Sequence, residues 1–212
     1  MAEKGILFDM DGTLWDASEQ VAAAWSIALA ADPETAGIRM TAGRMQSLMG
    51  KTMTDIFDRV LPGVGEAGRR KFSGECRRTE NDYLLRHGAK LFPREAETLE
   101  TLSRDYRLFI VSNCQDGYIE AYLGHYRFGR FFADTECFGR TGKNKAENIR
   151  LLLERNPLEK AVYVGDTQLD FESAASAGIP FIHAAYGYGK AERAAHSIRA
   201  ISELPALVSQ IL

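Results

Sequence analysis

Three pairs of polar residues, far apart in the chain, have types and spacings suited to handling a phosphoryl group. Asp9 and Asp11 sit two apart in DMDGT (9–13). One such carboxylate can attack phosphorus as a nucleophile, and its neighbour can move a proton on and off the leaving oxygen. Gly12 permits a tight turn, and Thr13 has a hydroxyl that can hydrogen-bond within it. Ser112 and Asn113 in VSN offer a hydroxyl and an amide that can hold phosphoryl oxygens. Asp166 and Asp170 in GDTQLD (165–170) are an acid pair of the kind that binds Mg²⁺, a hard cation that prefers carboxylate, water and phosphate oxygens. Lys143 and Lys145 lie between these groups, and a lysine can neutralise a phosphoryl group as a point charge. Each group also has a plainer reading: an acidic turn after a strand, a helix cap, an ordinary turn pair, or solvated lysines.

Short apolar runs precede three of these groups: GILF (5–8), RLFIV (107–111) and AVYV (161–164). Their length and their β-branched and aromatic content predict buried strands, which places the polar residues just past the strand ends. In an open parallel α/β sheet, the crevice at the carboxyl ends of the strands is where ligands bind. Strand and helix patterns alternate from residue 95 onward: helix 95–104, strand 106–111, helix 117–123, a strand within 131–138, helix 145–155, strand 161–164, helix 171–177 and strand 179–183. An amphipathic helix at 202–212 ends the chain. This order predicts βαβ units.

Between residues 14 and 105 no strand pattern is evident. Alanine-rich 16–31 reads as a helix, 38–61 as two short helices broken near Gly50, and 66–87 as a charged helix with Phe72, Cys76, Tyr83 and Leu84 facing inward. The expected fold is therefore α/β, a doubly wound, Rossmann-like parallel sheet with a small helical domain inserted after the first strand. Residues 1–15 plus 89–212 form the core and 16–88 the insert.

Composition narrows the function. The 212 residues are 45% hydrophobic with a formal net charge of −3, which carries no basic footprint for nucleic acid and no membrane association. The N-terminus becomes acidic too early for a signal peptide. Three cysteines, Cys76, Cys114 and Cys137, form no CxxC pair and suit reduced thiols in a cytoplasmic protein. GKT at 50–52 lacks the preceding glycine of a phosphate-binding loop, since position 45 is Met45. YGYGK (186–190) lacks the third glycine of a dinucleotide fingerprint and follows the last expected strand, where it lines the crevice edge or forms a plain loop. His183, at a strand end, reads as a satisfied core histidine.

In their order and context, DMDGT, Ser112, a lysine at 143 or 145 and GDTQLD resemble the four motifs of the haloacid dehalogenase-like hydrolases. The insert resembles the helical cap of the subfamily that includes phosphoglycolate phosphatase and β-phosphoglucomutase. This resemblance implies Asp9 as nucleophile and Asp11 as general acid/base, with Ser112 and the lysine binding the phosphoryl group. It implies Mg²⁺ held by Asp9, Asp166 and the Asp11 carbonyl, with Asp170 supporting the ion directly or through water. Relatives often carry Lys-Pro where this chain reads GKNKAENI; Lys145 is favoured because it abuts the following helix, and Lys143 is kept as the second candidate. Dehalogenases lack an acid at the position of Asp11, which favours a phosphatase for a small phosphorylated metabolite. A phosphomutase, or a non-catalytic binding protein on the same fold, is the alternative. Near Gly50, Arg44, Lys51 and Thr52 are candidate substrate contacts. A monomer or small homo-oligomer is expected.

Overall fold

The computed structural model describes residues 3–212, so the first two residues of the expected core lie outside the description. Six parallel strands form the main sheet: β1 (Lys4–Phe8), β4 (Arg107–Ser112), β5 (Phe132–Cys137), β6 (Lys160–Gly165), β7 (Phe181–Ala184) and β8 (His196–Ile198). Their spatial order is β5-β4-β1-β6-β7-β8. The chain runs outward from β1 through β4 to β5, then returns to the other side of β1. β1 therefore borders the reversal of strand order, the point where open α/β sheets form a ligand crevice. Registers Leu7↔Phe109 and Leu7↔Tyr163 align the carboxyl ends of β4, β1 and β6.

Successive strand residues serve opposite faces, as the pleat requires. Ile6, Phe8, Leu108, Ile110, Val162 and Val164 join one core, and Leu7, Phe109, Val111 and Tyr163 join the other. Helices α5 (Glu95–Leu102), α6 (Tyr118–Tyr126) and α10 (Leu204–Ile211) contribute Leu99, Leu102, Ile119, Tyr122 and Val208 to the first core. Helices α8 (Lys145–Arg155) and α9 (Gln168–Ala177) contribute Ile149, Leu152 and Ala174 to the second. The sheet is thus covered on both faces, as the sequence predicts.

Between β1 and α5 lie helices α1 (Ser18–Ala30), α2 (Ala42–Gln46), α3 (Met53–Val60) and α4 (Glu66–His87). The 22-residue α4 is strongly polar, and its buried residues Phe72, Cys76, Glu80 and Leu84 recur at every fourth position, a single stripe facing the other helices. Tyr83, expected to face inward, is only half-buried, while Glu80, which was not expected there, is buried.

Of four local departures from the sequence reading, three have simple causes. A two-residue antiparallel ribbon, β2 (Trp15–Asp16) with β3 (Lys90–Leu91), closes the base of the helical segment. Strands this short carry no period to detect. β8 was missed for the same reason, being three residues long. The short helix α7 (Phe138–Thr141) follows β5 directly, where only a strand was expected. Helix α9 begins three residues earlier than expected because Thr167 caps it and Asp170 closes the capping box from the third helical position.

Candidate active site

Asp9 and Asp11 follow β1 and Ser112 ends β4, while Asp166 follows β6. All are buried at the carboxyl edge of three adjacent strands. Lys145, the first residue of α8, enters from the side. Its Nζ stands 2.9 Å from Asp9 Oδ1, off the line of a hydrogen bond, and 2.5 Å from Asp170 Oδ1. Lys145 is 2% exposed. Burial by itself would lower its pKa, but Asp170 and Asp9 override it and hold the ammonium charged. Lys143, by contrast, is exposed, and its carbonyl accepts from Asn148 Nδ2. Of the two candidate lysines, the structure brings Lys145 to the acids.

Asp170 has both carboxylate oxygens engaged. Oδ1 pairs with Lys145, and Oδ2 accepts from the Thr167 amide (2.9 Å) and hydroxyl (2.6 Å). It fixes the lysine and caps α9. Asp166 differs: Oδ2 accepts from the amides of Tyr188 (2.7 Å) and Gly189 (3.1 Å), and Oδ1 is buried with no partner. Asp9, Asp166 and Asp170 each offer an oxygen within 4.8 Å of one another. A buried, orphaned carboxylate oxygen beside a second carboxylate is the hard oxygen donor set that a divalent cation requires, so these residues fit one.

The loop 186–189 makes this arrangement possible. Gly12 has φ +81°, and a Cβ there would lie 2.4 Å from Asp166 Oδ2; a Cβ on Gly187 would lie 2.3 Å from the Gly12 carbonyl. Tyr186 donates its hydroxyl to the Thr13 carbonyl (2.8 Å), and Tyr188 donates to Asp16 Oδ1 (2.6 Å). YGYG is therefore a strap over Asp166, closing the alternatives left by the sequence. Its two glycines, spaced two apart after a strand, were the available signal. His183 Nε2 lies 3.1 Å from the Asp166 carbonyl, so this histidine is satisfied as expected, although it is half-buried rather than in the core.

Burial raises the Asp9 carboxyl and Lys145 draws it back, to about 6. Burial also raises Asp11, well above the ordinary value, although Tyr118 donates its hydroxyl to Asp11 Oδ1 at 2.7 Å. Asp166 is pushed to about 7 by burial and then by Asp170 and Asp9. Tyr118 was not anticipated: nothing in the sequence marks the first residue of α6 as facing the end of β1. Two neighbouring acids with separated pKa values are the arrangement in which one serves as nucleophile and the other as acid.

Above the strand ends lies a cavity of about 30 Å³, room for one or two waters. Asp9, Asp11, Ser112, Asn113 and Tyr118 form its floor. Trp25, Met45, Met49, Met53, Ile56 and Glu80 roof it, and Lys51 reaches its edge. Other candidates are placed differently. The side-chain hydroxyl of Thr13 is buried without a hydrogen-bond partner, so only its amide, bonded to the Met10 carbonyl, serves the turn. Asn113 donates to the Gly50 carbonyl (3.0 Å) and so ties the floor to the roof. Thr52 caps α3 through the Asp55 amide. Arg44 does not reach the cavity: it is exposed and its guanidinium donates to the Arg39 carbonyl. Cys114 lines the cavity, and all three cysteines are free.

A doubly wound sheet with these acids and this lysine at the switch point defines a haloacid dehalogenase-like hydrolase, and the chain belongs to that family, whose model matches residues 6–184. Among curated relatives, it is 27% identical to phosphoglycolate phosphatase of Salmonella choleraesuis (strain SC-B67), over 92% of this chain and 86% of that one. It is 26% identical to phosphoglycolate phosphatase of Escherichia coli (strain K12), over 89% and 84%. Among solved structures, it resembles a haloacid dehalogenase-like family hydrolase from Streptococcus pneumoniae (TM-score 0.80, 22% identical, covering 97% and 98% of the two chains). It also resembles CbbY from Rhodobacter sphaeroides, solved in complex with phosphate (TM-score 0.76, 21% identical, 96% of each). Among the described residues, no helix is long and apolar enough to cross a membrane.

Proposed function

We propose that this protein is a Mg²⁺-dependent phosphatase that hydrolyses a small phosphorylated metabolite through a phospho-aspartate on Asp9. The names of the curated relatives make phosphoglycolate the first ester to assay. The observation that carries the reading is the placement of buried Lys145 between Asp9 and Asp170, beside the orphaned oxygen of Asp166.

In this reading Asp9 attacks phosphorus with a carboxylate oxygen, and the bond from phosphorus to the leaving oxygen breaks. Asp11, kept protonated by its burial, gives its proton to that oxygen. Tyr118 holds one Asp11 oxygen, which leaves the other to carry the proton. Asp11, now ionised, takes a proton from water as the water attacks phosphorus and releases Asp9. Lys145 and Ser112 hold the phosphoryl oxygens throughout. Asp9 and Asp166 would hold the cation, with the Asp11 main-chain carbonyl that the family resemblance adds. When bound, the cation neutralises phosphoryl charge and shields Asp9 from the incoming dianion.

The helices between residues 16 and 88 act as a cap over this site, and residues 3–15 with 89–212 as the catalytic core. The cavity is far smaller than a phosphate ester, so the cap parts to admit substrate and closes over it less far than it does here. The test is release of inorganic phosphate from p-nitrophenyl phosphate with Mg²⁺ and with excess chelator. Phosphate release that is abolished by chelator is expected. Undiminished turnover in chelator, or transfer of the phosphoryl group to a second sugar phosphate without phosphate release, overturns the reading.

A further inference from the structure

The inward stripe of α4 runs Phe72, Cys76, Glu80, Leu84, so a carboxylate occupies a position that an apolar residue would fill at less cost. Glu80 is 3% exposed and forms part of the cavity roof. Trp25 Nε1 donates to its Oε2, and Gln115 Nε2 donates to its Oε1 at 2.9 Å. Two hydrogen bonds use about half of what a carboxylate can accept. Among the described residues no lysine, arginine or histidine lies within 4.0 Å of it. Gln115 is itself held by Asn81 Oδ1 at 3.1 Å, so the carboxylate is fixed in direction from both the helical and the sheet side.

Asp11 lines the same cavity and feels the charge of Glu80. In the phosphatase reading, on which this inference rests, Asp11 touches the leaving oxygen. The rest of the leaving group then extends from the floor towards the roof, where Glu80 is the one carboxyl among Trp25, Met45, Met49, Met53 and Ile56.

We infer that Glu80 selects the leaving group: the site takes a small alcohol ending in a hydrogen-bond donor, a hydroxyl or an ammonium, and rejects one ending in a carboxylate. A donor satisfies the spare acceptor capacity of Glu80. Burial pushes Glu80 up to about 7, so above that pH a carboxylate would face the ionised Glu80 in a site with little water to screen it, where like charges repel strongly. Sites that hydrogen-bond a polar substrate group discriminate far more sharply than apolar walls do.

The test compares kcat/KM of the full chain with Mg²⁺ on glycerol phosphate, phosphoethanolamine, phosphoglycolate and p-nitrophenyl phosphate, for the native chain and for Glu80→Gln. The native chain is expected to prefer glycerol phosphate or phosphoethanolamine over phosphoglycolate by about tenfold or more. The first two esters distinguish a hydroxyl from an ammonium. Glu80→Gln is expected to shrink that preference by about fivefold or more. Equal or better use of phosphoglycolate by the native chain, or an unmoved ratio in Glu80→Gln, overturns the inference. If Glu80→Gln does not fold, the native ranking still decides it. Turnover of p-nitrophenyl phosphate with the wrong ranking sinks the role of Glu80 and leaves the phosphatase reading standing. Turnover of none of the four esters sinks both.

Discussion

The floor and the roof of the cavity are built from different materials. On the floor, Asp9, Asp11 and Ser112 stand at the ends of strands buried on both faces, and neighbouring charges or donors hold them. The roof is formed by thioethers, an indole, an isoleucine and one carboxylate on helices that share a packed core with the sheet and meet the floor through a handful of hydrogen bonds. These include Asn113 to the Gly50 carbonyl (3.0 Å), Gln115 to Glu80 (2.9 Å) and Asn81 to the Asp116 carbonyl (2.9 Å). A fixed floor suits chemistry that needs charges preorganised before the substrate arrives. Unbranched methionines repack cheaply, so a roof rich in them can close on differently shaped groups. Substitutions on the floor should therefore change the rate for every ester, and substitutions on the roof should change which ester is preferred.

The largest effect is expected from Asp9→Asn, which keeps the shape and removes the nucleophile. Turnover should fall by at least about 10³-fold on every ester, with the melting temperature little changed. Near-native turnover would show that the floor does not work through Asp9. Next, Lys145→Ala should slow turnover by about 10²–10³-fold. It should also destabilise the fold, because it leaves Asp9 and Asp170 buried without their cation. Lys143→Ala should stay within about twofold of native, since Lys143 points to solvent. The reverse ranking would move the phosphoryl-binding role to Lys143.

Tyr118→Phe removes one hydrogen bond to the Asp11 carboxyl and should cost about tenfold in kcat/KM. That bond favours the ionised form of Asp11, so its loss raises the Asp11 pKa further. The basic limb of the pH–rate profile should then move upward; an unmoved limb would separate Tyr118 from proton transfer. On the roof, Lys51→Ala should change the ranking of esters by about two- to tenfold and affect p-nitrophenyl phosphate least. Arg44→Ala should leave the ranking alone, because Arg44 does not reach the cavity. A change in ranking with Arg44→Ala would mean the closed roof differs from the one that meets substrate.

The smallest effect concerns an acid that belongs to neither surface. Glu95 is buried in the core, where Tyr122 donates to it at 2.5 Å, and burial pushes its pKa from 4.5 to about 8. The folded chain binds that proton more tightly than the unfolded chain. Its contribution therefore favours the fold at low pH and is lost as pH rises from about 4.5 to about 8. Glu95→Gln should flatten the decline of melting temperature over that range. Each 1 kcal/mol corresponds to roughly 2–4 °C in a chain of this size. An identical slope in the variant would mean that Glu95 titrates alike in both states.

The sequence by itself determined the longer strands of the main sheet and the residues at their ends. Apolar runs such as GILF and AVYV are local, and a polar motif that follows one directly must emerge at the sheet edge. Asp9, Asp11, Ser112 and Asp166 were legible for that reason, as was the helical character of α1 to α4. Contacts between residues distant in sequence were decided only by the tertiary structure. Lys145 and Lys143 are equivalent as letters; the turn into α8 buries one and exposes the other. Asp170 was legible as an acid near the site, but its tie to Lys145 depends on α8 lying against α9. Tyr118 and Glu80 carry no local signature, and the two glycines of the strap at 186–189 mark a close backbone approach without saying to what. Their roles depend on α6, the β7–β8 connection and α4 meeting the end of β1, and no period or motif encodes which side chains meet there.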